Sequence, residues 1–229
     1  MQHHLKRLQE LRGLDARIAR DPRHATRTLA VKRWQRARLA ATYADLSASH
    51  RYGKATAFFL DRLYGDVDAV WRDRDLLRMY PTMKRLLPSF AFETVTNALA
   101  LDVLAEEFDQ AMADALGASD IAPAAYAAAF RRVGRREDRL RQVALMRGVG
   151  EGLDAVVRKP LIFSTLKMLR RPSKLAGLAE MQHFLEEGFT AFRHMSGASH
   201  FLDTIAARET ALIEALFAGR DDALPVVAT

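Results

Sequence analysis

The residues whose type and spacing come nearest to chemistry are carboxylates. Asp102, Glu106 and Asp109 stand at i, i+4 and i+7, a spacing that on a helix aligns them along one face, with Glu107 and Asp114 beside them. Oxygen ligands of this kind suit hard divalent cations, and a di-metal bundle adds an E-x-x-H pair from each of two further helices. The chain holds one such match, Glu180 with His183, and no second. The helix carrying that pair has an apolar stripe of Leu178, Met181, Leu185, Phe189 and Phe192, which leaves Glu180, His183, Glu187 and His194 mostly on the opposite, solvated side. No metal site is expected from this pattern, and no cofactor.

Other catalytic patterns fail in the same way. There is no cysteine, so disulfides, thiolate nucleophiles and cysteine-ligated metals are excluded. Gly148-Val149-Gly150-Glu151-Gly152 is glycine-rich but lacks a preceding strand and the Lys-Ser/Thr pair of a phosphate loop, so close helix packing is its simpler role. No G-x-S-x-G nucleophile elbow occurs. The seven histidines are scattered, and none is singled out as a haem ligand. The balance leans away from an enzyme.

The densest bulky segment is Phe58-Phe59-Leu60-Asp61-Arg62-Leu63-Tyr64-Gly65. Phe59 with Leu63 and Leu60 with Tyr64 are i, i+4 pairs, while Phe58 lies beside Asp61 and Arg62 on a helical surface. The simplest role is a core helix. The alternative is a ligand pocket formed by Phe58, Phe59 and Tyr64 with Asp61 as its polar anchor, a candidate acid or base if it lies against the rings. The segment resembles the signature of the bacterial FFLEELY motif proteins, a family of uncharacterised function. Arg51-Tyr52 through Tyr80-Pro81 and Gly134-Arg135-Arg136 are similar to it as well. Asp61-Arg62 stand where the family name implies two glutamates, so the resemblance carries no chemistry that needs both carboxylates.

Charge is segregated along the chain, which has a net charge of +7. Residues 1–40 carry eleven Lys or Arg against three acids, 131–147 seven against two, and 158–174 six against none, whereas 93–120 hold seven acids and no base. Opposed blocks suit side-by-side packing of helices or docking of a charged partner. Arg131, Arg132, Arg135, Arg136 and Arg139 are the candidate partner-binding set, and Lys167, Arg170, Arg171 and Lys174 form a second basic cluster. A protein partner is the leading expectation. Phosphate contacts make nucleic acid the alternative, although no zinc finger, RNA-recognition signature or clear helix-turn-helix frames the arginines.

The elements that must position these groups are helices. Ala, Leu and Arg dominate and rank high in helix propensity, and apolar residues recur at three and four, as in Leu5, Leu8 and Leu11 or Ala30, Trp34, Ala37 and Ala41. Breaks are expected at Asp21-Pro22, Gly65, Pro88, Gly117, Gly134, Pro160, Pro172 and Ser196-Gly197, and a bend or break at Pro81. The expected fold is all-α, a multi-helix bundle of about nine helices in one compact domain over residues 1–219, with 220–229 as a flexible tail. No run of eighteen apolar residues is present and the amino terminus lacks a signal-peptide core, so no membrane span and a cytoplasmic location are expected.

Overall fold

Ser89–Leu116 contains neither glycine nor proline and forms the longest helix, 28 residues, closed by Gly117 at a φ of 67°. A left-handed residue just past a helix is the usual place for glycine, because it lacks a Cβ. The computed structural model describes residues 1–12, 22–63 and 70–226. Twelve α-helices lie among them: α1 (Gln2–Arg12), α2 (Pro22–Thr42), α3 (Ala44–Ala48), α4 (Gly53–Phe58), α5 (Val70–Leu86), α6 (Ser89–Leu116), α7 (Pro123–Val133), α8 (Arg136–Val157), α9 (Pro160–Met168), α10 (Arg170–Leu175), α11 (Ala179–Met195) and α12 (Ser199–Phe217). No strand occurs among the described residues. The all-α expectation therefore holds, and the count exceeds nine because regions read as single helices divide at Tyr43 and Leu169.

The long helix α6 is the axis, touching α1, α2, α7 and α8, while α8 also packs on α11 and α12. Leu5 and Leu8 of α1 are fully buried with Leu11, Leu99 and Val103, each contributing roughly 1.5–3 kcal/mol on leaving water. Trp34 stacks on Tyr126 with centroids 3.9 Å apart, inside a cluster that includes Met112, Phe130, Ile213 and Leu216. A further cluster joins Phe189, Phe192, Phe201 and Leu202 with Leu39 and Leu46. Leu224 is buried in the Trp34 cluster, and the Asp221 carboxylate meets Arg131, so the chain is held to the bundle as far as Leu224.

Close approach explains two of the three glycines on α8. A Cβ on Gly150 would stand 2.3 Å from Leu202, and one on Gly152 would stand 2.1 Å from the Thr94 hydroxyl, whereas Gly148 faces open space.

Local rules fail at two places. Of the bend or break expected at Pro81, the break does not occur, and the helix α5 runs through that residue. The proline removes one donor, but Leu76 and Leu77, a turn earlier, are pressed onto α1 and hold the helix in register. After α4 the chain widens into a π-helical turn, Phe59–Leu63, and a turn of that kind re-aims successive side chains.

Candidate functional site

The acidic face of α6 is neutralised from four directions. Arg72 on α5 lies 3.1 Å from Asp102. Lys32 on α2 lies 2.7 Å from Glu106 and 4.0 Å from Asp109. Glu107 accepts from Arg7 of α1 at 3.0 Å and from Arg135, just before α8, at 3.2 Å. His24 stands 3.0 Å from Asp114. The stripe thus pairs inside the molecule. Glu106 and Asp109 are buried, and burial raises the Asp109 carboxyl to about 7, with Lys32 pulling it down and Glu106 pushing it further up. Among the described residues no group of three or more His, Cys, Asp or Glu converges as a metal would require. His183 is solvent-facing beside Glu187, at 3.3 Å.

Phe58 and Phe59 of the aromatic segment are built into packing. Phe58 is buried against Phe184, centroids 5.3 Å apart, and a Cβ on Gly188 would stand 2.8 Å from its ring. Phe59 faces Phe192 and Phe201, both at 6.0 Å. Asp61 is exposed and bound to Arg36 at 2.6 Å. Tyr64 lies outside the described residues. A surface cavity of about 400 Å³ is lined instead by Asp154, Arg158, Lys159, Phe192, Arg193 and Gly197, and a neighbouring one of about 350 Å³ by His50, Arg51, His194 and Ser196.

The arginines at the α7–α8 joint each have a structural engagement. Arg131 meets Asp221, Arg132 donates to the Ala115 carbonyl at 2.9 Å, Arg135 reaches Asp138 at 2.8 Å, and Arg136 reaches Glu214 at 2.5 Å. Arg139 is buried, its guanidinium 3.7 Å from the Phe130 centroid and 4.2 Å from that of Phe108, and burial lowers its pKa to about 10.

The second basic cluster is arranged differently. Its two short helices, α9 and α10, follow one another through Leu169 with the helical hydrogen bonds continuing across the joint, and one face of the pair is anchored. Ile162, Phe163 and Leu166 pack on the cluster that contains Phe189. Gln182 of α11 donates to the Leu166 carbonyl at 2.6 Å and to Glu186 at 2.8 Å, while Ser173 donates to Gln182 at 3.1 Å. Arg170 forms a two-pronged contact with Glu186. Arg78 of α5 holds the far end through the Ala176 carbonyl at 3.0 Å.

With the inner face so fixed, the rest is turned outward. Leu161 is 78% exposed, Met168 79%, Leu175 90% and Leu169 46%. Lys159, Arg171 and Lys174 are exposed among them. Their charge is visible in the sequence, whereas the exposure of the aliphatics depends on the packing. The available signal is α9 itself, PLIFSTLKM, whose five large apolar residues, Leu161, Ile162, Phe163, Leu166 and Met168, exceed what one face of a nine-residue helix can bury.

Fold and surface together define a helical bundle with an internally neutralised acidic axis and one outward apolar and basic pair of consecutive helices. The chain belongs to the family described as domain of unknown function (DUF8198), whose model matches residues 15–223. No curated protein and no solved structure matches it.

Proposed function

We propose that this chain is a non-enzymatic binding module that docks a larger partner through the outer face of the consecutive helices α9 and α10. The observation that carries this reading is the exposure of Leu161, Met168 and Leu175 at 78–90% on an element whose other face is anchored by Phe163 and Gln182. Large aliphatics scattered singly on a surface mean little, but several beside unmatched cations on one short element suit an interaction site. The expectation of a macromolecule-binding module is thereby moved from the α7–α8 arginines, which already face carboxylates, a carbonyl or rings, to residues 159–175. Phe58 and Phe59 serve as packing in this reading. The cysteine-free composition supports a cytoplasmic setting.

Photo-cross-linking in the cells that make the protein tests the reading. A photoreactive amino acid at position 168 is expected to yield adducts with a partner, whereas the same group at exposed Ala211 on α12 yields few. Equal labelling at both positions would remove the docking role, and adducts concentrated at Glu137 would return it to the arginine-rich joint.

A further inference from the structure

Resting on the docking role of α9 and α10, we infer that the surface they meet is an anionic lipid bilayer. Three features favour lipid over the other partners that a basic face attracts.

The first is the chemistry of the exposed groups. Leu161, Met168, Leu169 and Leu175 are aliphatic or thioether side chains, which gain by entering acyl chains and match neither phosphates nor base stacks. The ring on this element, Phe163, is committed inward to Phe189. A nucleic-acid surface would leave the aliphatics in water.

The second is charge. Residues 158–174 contain six Lys or Arg and no acid. Arg158 is held by Asp154 and Arg170 by Glu186. Lys159, Arg171 and Lys174 have no carboxylate partner among the described residues and stand exposed beside the aliphatics. Cations flanking an apolar strip can keep their heads among lipid phosphates while their stems follow the apolar side chains downward. Each cation near an anionic leaflet contributes about fivefold in affinity.

The third is shape. The helices have nine and six residues and meet at Leu169, and among the described residues no helix is long and apolar enough to cross a membrane. An element of this kind lies in the interface plane with its outer side chains roughly 5–10 Å deep. Its inner face is already folded against α11, so binding requires no coupled folding.

Co-sedimentation of the full chain with large vesicles tests the inference. Vesicles of phosphatidylcholine alone are compared with vesicles carrying roughly 30 mol% phosphatidylglycerol. The expected result is binding to the anionic vesicles, weaker by about tenfold or more on neutral ones and falling as salt rises from about 0.1 to 0.5 M. A Leu161→Ser, Met168→Ser, Leu175→Ser variant and a Lys159→Glu, Arg171→Glu, Lys174→Glu variant are each expected to lose about tenfold or more, with unchanged circular dichroism. No vesicle binding, or equal binding by wild type and both variants, overturns the bilayer inference. If a DNA duplex or polyglutamate is bound instead while position 168 still cross-links, only the lipid assignment falls. If cross-linking is absent too, the docking role falls with it.

Discussion

The ring of Phe163 lies stacked on that of Phe189, centroids 4.8 Å apart and planes 10° from parallel. This contact joins α9 to α11 and decides which apolar residues of a mostly apolar helix face water. Phe163→Ala should cost about 2 kcal/mol, below the usual figure for a fully buried phenylalanine because this one is only partly enclosed. Hydrogen exchange should show the loss concentrated in residues 160–175, with α6 and α8 little changed. Uniform acceleration across the chain would contradict the local anchoring.

Gln182 holds the same pair of helices through polar contacts. It is buried and is bonded to Leu166, Glu186 and Ser173. Gln182→Leu leaves the Leu166 carbonyl and the Ser173 hydroxyl without that partner, a change of about 1–3 kcal/mol. Chemical denaturation should register it, and proteolysis should cut first between α9 and α10.

The Asp109 carboxyl supplies a pH dependence with a definite sign. Its folded pKa of about 7 lies above the unfolded value of about 3.9, so its contribution is fully present below the unfolded pKa and is lost as pH rises through the folded one. Asp109→Asn keeps the site neutral. The variant should therefore gain stability over wild type progressively between about pH 4 and 7, by about 2–4 kcal/mol in all, and hold that gain at higher pH. Burial lowers the pKa of His4, which works in the opposite sense, but it does so in both proteins and cancels in their difference. Urea midpoints of the pair at pH 5 and pH 8 measure the effect; a constant difference would contradict it.

Two glycines on α8 should respond oppositely to alanine. Gly148→Ala meets open space and gains about 0.5–1 kcal/mol of helix propensity. Gly152→Ala drives a Cβ to 2.1 Å from Thr94, and the overpacking, about 1–3 kcal/mol, outweighs that gain. Thermal midpoints should move apart, upward for the first and downward for the second.

Periodicity made part of this fold legible in advance. Leu5, Leu8 and Leu11 of α1, and Met181, Phe189 and Phe192 of α11, fall inside as their spacing indicates. The opposed charge blocks also signalled that the α6 stripe would find cations, although these come from α1, α2, α5 and the start of α8, an order that only the packed structure supplies. Other features depend on neighbours that a local pattern does not contain. Pro81 remains within a helix because α1 holds it, and Arg139 is buried because Phe108 and Phe130 flank it. Leu161 and Met168 belong to the same short apolar run as Phe163, and composition does not distinguish the residues that meet Phe189 from those that meet water.

The absence of cysteine permits the most direct measurement of the docking face. Met168→Cys and, as reference, Ala211→Cys would be labelled with a small thiol reagent in intact cells and again in the purified chain. Both positions are exposed in the isolated fold and should react alike when pure. In cells, position 168 should react about tenfold more slowly than position 211, the protection expected of a residue covered for most of the time. Equal rates in cells would show the α9–α10 face uncovered and would contradict its role as the docking surface.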